Sequence, residues 1–98
     1  MLFRSSSFVI YGYGKAGKRF ISRLENVENN NVLAICDNGN NDDENVIKHK
    51  ECIRKYPENN YIVTMQKGYI DVICSLIRDG IKSENIYRYN FANDRLEK

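Results

Sequence analysis

Residues 12 to 19 of the chain read GYGKAGKR, a spacing of glycines and cations that suits a phosphate group. Gly12, Gly14 and Gly17 complete the pattern GxGxxG, in which a bare backbone corner lets amide hydrogens meet the oxygens of a diphosphate. Gly12, Gly17 and Lys18 also satisfy the first seven positions of GxxxxGK[ST], where a hydroxyl must follow the lysine to ligate magnesium. Arg19 stands there instead, and the chain is short for that kind of domain, so this second chemistry fails. Tyr13, Lys15 and Ala16 fill the variable positions; Tyr13 is placed either over the phosphates or in solvent. Lys15, Lys18 and Arg19 raise the local positive potential, although helix geometry turns most such side chains toward water.

The second candidate is Asp37, twenty positions beyond Gly17 at the end of the run VLAICD. A carboxylate there accepts hydrogen bonds from both ribose hydroxyls and repels a 2′-phosphate, which favours NAD over NADP. A site for S-adenosylmethionine also uses a glycine turn and an acid after strand two, but usually adds an acid two positions before the first glycine, where Ile10 stands. Thr64, Gln66 and Lys67 fall at the carboxyl end of a later strand, on the same sheet edge as the glycine turn, where open α/β sheets bind ligands. Lys67, Gly68 and Tyr69 open the next helix and would reach the ligand's far end.

Other reactive residue types carry less. His49 is the only histidine and, between two lysines, reads as a surface residue. Cys36, Cys52 and Cys74 form no CxxC pair and no metal-ligand spacing; an odd count suits a reducing compartment, hence a cytoplasmic address. Cys36 and Cys74 read as small core residues and Cys52 as the more exposed one. No residue is assigned to catalysis or to a metal.

These groups need strands and helices to hold them. The apolar run in SFVIYG predicts a buried strand over 7–12, and Gly17, Phe20, Ile21 and Leu24 then fall on one helical face directed at the sheet. VLAICD predicts a second strand, and NGNNDDEN, 38 to 45, a surface loop. Val46 and Ile47 form a short strand, 50 to 56 a short helix stopped before Pro57, and YIVTM, 61 to 65, a further strand. In GYIDVICSLIRDG the residues Ile70, Ile73, Cys74 and Ile77 share one helical face, taken as the buried one. Gly80 fits the left-handed position after this helix, with Ile81 packing back on Leu76. NIYRY, 85 to 89, makes the last strand, and 90–98 a polar tail. Strands alternating with helices require an α/β three-layer sandwich, with helices on both faces of a mostly parallel sheet of about four to five strands.

Ninety-eight residues form one expected domain, 1–98, with no room for a second catalytic one. A net charge of +2, with bases and acids interspersed, points away from nucleic acid, and no apolar stretch is long enough for membrane insertion. Seven tyrosines, including Tyr87 and Tyr89 in the last strand, suit a subunit interface, so a homodimer or a larger multidomain partner is among the expected assemblies.

The stretches FVIYGYGKAGKRFISRL, VLAICDN and YIVTMQKGYIDVICSLIRDGIKSENIYRY together resemble the small Rossmann-like nucleotide-binding domains of bacterial cell-surface polysaccharide biosynthesis proteins, including those of sugar-nucleotide dehydratases and epimerases. The likeness runs from about residue 8 to about residue 90 and is most specific at the YGxGxxGK turn, the Asp37–Asn38 pair and the closing LIRDGI and NIYRY segments. It implies a dinucleotide or nucleotide sugar at Gly12, Gly14, Gly17 and Asp37; NAD, which Asp37 favours, is the candidate cofactor. Tyr13, Lys15, Ala16, Asn38, Thr64 and Gln66 complete the candidate contacts. The Tyr–Lys pair at YxxxK spacing that serves those enzymes as acid and base has no convincing counterpart here. The resulting expectation is a nucleotide-binding module accessory to polysaccharide or sugar-nucleotide metabolism. The alternatives are a non-catalytic fragment or subunit of a dehydratase, epimerase or methyltransferase, and a regulatory nucleotide-sensing domain.

Overall fold

A strand whose residues are all apolar is stable only where both sheet faces are covered. Phe8–Tyr11 meets that condition at the centre of the molecule, each of its side chains almost fully buried. The computed structural model of the chain describes residues 7–24, 31–37 and 46–97. Its elements are β1 (Ser7–Tyr11), α1 (Lys15–Leu24), β2 (Asn31–Cys36), β3 (Val46–Ile47), α2 (His49–Lys55), β4 (Asn60–Val63), α3 (Tyr69–Arg78), a 3₁₀ turn (Ser83–Asn85), β5 (Ile86–Asn90) and β6 (Arg95–Glu97). They form one sheet in the order β3-β2-β1-β4-β5-β6, parallel throughout except for β6, which runs antiparallel to β5. This is a Rossmann-like fold. No described helix is long and apolar enough to cross a membrane.

The alternation of β1 divides the core into two layers. Phe8 and Ile10 pack with Phe20 and Ile21 of α1 on one face, joined by Ile62, Tyr89 and Leu96. Val9 and Tyr11 face the other way, where Cys52 and Ile53 of α2 and Val72, Ile73 and Leu76 of α3 close over them. Gly17, Phe20 and Ile21 take the inward face of α1 as expected, while the side chain of Leu24 and the 38–45 loop lie outside the described residues.

Two expectations need correction. The sheet has six strands, because the polar tail contributes β6: Leu96 packs beside Tyr89, and Arg88 pairs with Glu97 at 2.9 Å. A three-residue strand with one apolar side chain leaves no periodicity to detect. The second correction concerns the rotation of α3. Its buried stripe is Tyr69, Val72, Ile73 and Leu76, whereas Ile70 is 60% and Ile77 45% exposed. Cys74 is therefore exposed, and Cys52, not Cys74, is the core cysteine beside Cys36. The end of the helix accounts for this rotation. Gly80 has φ +105°, its amide donates to Ile77 O at 3.1 Å, and Ile81 N donates to Leu76 O at 3.0 Å. This Schellman closure turns Leu76 inward against Ile81, both fully buried, and sends Cys74 and Ile77 outward.

Candidate functional site

β1, β2 and β4 stop at one level, with Tyr11 beside Cys36 on one side and Val63 on the other. From there the chain leaves β1 through α1 on one face and β4 through α3 on the opposite face. The crevice between diverging connections is where open parallel sheets receive ligands. A cleft of about 350 Å³ lies here, lined by Gly12, Tyr13, Gly14, Lys15, Ala16, Gly17, Asp37, Thr64, Met65 and Gln66. Nine of the ten candidate contacts thus surround one opening. The tenth, Asn38, lies outside the described residues. Met65 was missed, since an apolar residue carries no chemical signal in sequence.

The three glycines have separate duties. Gly12 has φ +111°, and a Cβ there would lie 2.7 Å from Thr64 Oγ1 and 2.9 Å from Met65 Cγ. A Cβ at Gly17 would strike the carbonyl oxygen of Gly12, so the start of α1 rests directly on the turn. A Cβ at Gly14 would meet nothing within 4 Å. Gly12 and Gly17 shape the corner; Gly14 leaves it open. The first bond of α1 runs from Lys18 N to Gly14 O at 3.0 Å, so the amides of Lys15, Ala16 and Gly17 have no acceptor within the helix. No acidic side chain occupies that first turn, and the positive end of the helix dipole faces the cleft without a carboxylate of its own.

Asp37 does more than the spacing implied. Its Oδ2 accepts the Tyr13 amide at 2.8 Å, and its own amide donates to Ile47 O at 3.0 Å. It thereby pins the glycine turn to the end of β2. Thr64 and Gln66 form the opposite wall through backbone contacts. Thr64 Oγ1, buried, lies 3.0 Å from Gly12 O and 3.1 Å from Tyr11 O. Gln66 donates to Thr64 O at 2.7 Å and Tyr89 O at 2.8 Å, and accepts from Phe91 N at 2.9 Å. Lys18 lies over the Tyr13 ring at 5.0 Å and Arg19 over Phe91 at 4.7 Å, cation–π contacts that engage both charges along the helix. Lys67 and Gly68 do not line the cleft, and Tyr69 packs against Arg88, its ring 4.0 Å from the guanidinium.

His49 proves to be no ordinary surface residue. Its Nδ1 is 2.7 Å from the Tyr11 hydroxyl and its Nε2 2.6 Å from Asp79 Oδ2, with only 12% of the side chain exposed. The His49 contact, first among several causes, holds the Asp79 carboxyl below its ordinary pKa. With that carboxylate ionised, Nε2 is the ring nitrogen that donates to it, and Nδ1 lies against the Tyr11 hydroxyl. Burial first, and neighbouring Cys36 next, push the Tyr11 hydroxyl well above its ordinary pKa. A hydrogen bond with Cys52, then burial, raises the Cys36 thiol far above its usual value, so it stays a neutral thiol and no nucleophile. The array joins the end of β1, the start of α2 and the end of α3. Nothing in sequence marked it, because its members stand 38 and 30 positions apart. Among the described residues no cluster of His, Cys, Asp and Glu is placed to hold a metal ion.

No family model matches the sequence, and no curated protein sequence does. The structure is similar to that of UDP-D-quinovosamine 4-dehydrogenase from Vibrio fischeri, with a TM-score of 0.66 and 15% identity over 95% of this chain and 92% of that one. At that identity the likeness shows the fold, and the chain adopts a Rossmann-like α/β architecture.

Proposed function

We propose that the chain is a nucleotide-binding domain that seats the diphosphate of NAD(H) or of a nucleotide sugar on the amides of the Gly12–Gly17 turn. The observation that carries this reading is the open position at Gly14, next to amides that have no acceptor within their helix, in a cleft that also contains a carboxylate. Asp37 holds the adjoining ribose. Its carboxylate stands on the wall of the cleft, beside the turn whose Tyr13 amide it accepts. Thr64, Met65 and Gln66 set the width of the cleft. When bound, NAD would supply hydride transfer; the residues of this chain bind and orient it. The neighbouring structure's name, a dehydrogenase of a UDP-sugar, supports a role accessory to sugar-nucleotide metabolism, and the odd cysteine count favours a reducing compartment, the cytoplasm.

Thermal-shift measurements over NAD, NADP, UDP-glucose and S-adenosylmethionine test the reading. Ligand at 100 times its Kd stabilises the fold by about 2.7 kcal/mol, a plain upward shift in Tm. NAD or UDP-glucose is expected to give that shift and NADP a smaller one. Asp37→Asn retains an acceptor for the Tyr13 amide but removes the charge, and is expected to weaken binding by about tenfold or more. No shift with any of the four at millimolar concentration contradicts the assignment.

A further inference from the structure

The stripe that the rotation of α3 sends outward is a second apolar face on one helix. Ile70, Cys74 and Ile77 stand at offsets of four and seven, all exposed, in a row along the outer surface. Beside that row are Asp71 and Arg78, both exposed and seven residues apart, with Arg78 Nε also 3.5 Å from Asp79 Oδ1 at the helix end. Seven residues make about two turns, so the two charges lie on the same flank of the stripe. One acid near the amino end and one base near the carboxyl end of the same flank are complementary to their own image when two such helices pack antiparallel. Asp71 then faces Arg78 of the second copy, Arg78 faces Asp71, Ile70 faces Ile77, and Cys74 meets Cys74 near the two-fold axis.

We infer that α3 is the homodimer face of this protein, packing antiparallel against α3 of a second copy through Ile70, Cys74 and Ile77, with Asp71 and Arg78 paired across the axis. Self-complementarity selects the occupant: an unrelated apolar segment has no reason to carry the same acid and base in reverse order. The interface is isologous, as a two-fold dimer requires. A single helix pair buries less than the roughly 1,200–2,000 Å² of a stable complex, so association is expected at tens to hundreds of micromolar. The inference does not rest on the nucleotide site, which lies at the strand ends.

Sedimentation equilibrium of the full chain from about 10 μM to 1 mM is expected to pass from monomer to dimer. Bismaleimidoethane should link two copies through Cys74 at the upper concentrations, since Cys36 and Cys52 are buried, and Cys74→Ser should abolish the link. Ile77→Asp is expected to weaken association by about tenfold or more. Asp71→Arg and Arg78→Asp should each associate poorly alone and form a mixed dimer when combined, because each then supplies the charges the other lacks. All these positions are exposed, so the variants keep the fold, which circular dichroism verifies. A chain that stays monomeric at 1 mM overturns the inference. So does a dimer that survives Ile77→Asp, fails to link through Cys74, or is not restored by mixing the two charge variants.

Discussion

Tyr11 turns its side chain into a network of hydroxyl, imidazole and carboxylate, whereas Gly12, the next residue, opens a cleft at the glycine turn. By side-chain chemistry alone, a Tyr–His–Asp array looks more reactive than a turn of glycines. Geometry reverses that impression. Tyr11, His49 and Asp79 bond to one another, with Arg78 beside Asp79, and hold α2 and α3 against β1. The turn, by contrast, presents the amides of Lys15, Ala16 and Gly17, which have no acceptor within their own helix. In this molecule a binding site is recognised by what is left unfilled, and a cluster of reactive side chains can be a clasp.

The turn tolerates substitution least at Gly17. Gly17→Val would drive a branched side chain into the Gly12 carbonyl, and should cost about 3 kcal/mol by denaturant unfolding, because backbone cannot move aside as a flexible side chain can. His49→Ala sharpens the contrast. It removes both bonds of the clasp and should cost about 1–3 kcal/mol, while the affinity of the cleft for nucleotide stays unchanged. An affinity loss in His49→Ala would mean that the two regions are one site.

Acid tests the clasp in another way. The folded-state pKa of Asp79 lies below its ordinary value, so its stabilisation is fully present above the unfolded carboxyl pKa of about 3.9 and is lost as pH falls through the lowered folded value. Asp79→Asn should therefore show a shallower decline in Tm than the parent below about pH 4, with the two curves parallel near neutrality. The smallest effect on stability belongs to Gly14→Ala, expected within about 0.5 kcal/mol of the parent since the new methyl meets nothing. Its effect on nucleotide affinity should nonetheless be clear, because that methyl occupies the space a diphosphate needs.

Much of this was legible in the chain itself. The glycine spacing, the apolar run before it and the acid twenty positions after it fixed where one cleft would be. Thr64 and Gln66 were found from the strand-end rule alone, although their side chains turned out to brace the backbone instead of reaching into the opening. The rotation of α3 was not legible from periodicity, because two apolar stripes sharing Ile73 compete on one helix and spacing does not choose between them. The choice was nevertheless encoded: Gly80 followed by Ile81 requires Leu76 to face inward, and the expectation of that contact was inconsistent with a buried Cys74 and Ile77. The His49 clasp and β6 rest on contacts between distant or very short segments, which local pattern does not carry.

The most direct test of the central claim is a titration of isotope-labelled protein with NAD and with UDP-glucose, followed by amide NMR. The account predicts saturable shifts concentrated at Gly14, Lys15, Ala16 and Gly17, weakened about tenfold by Asp37→Asn. Amides at the turn that stay unmoved at millimolar ligand, or saturable shifts confined to another part of the sheet, would contradict it.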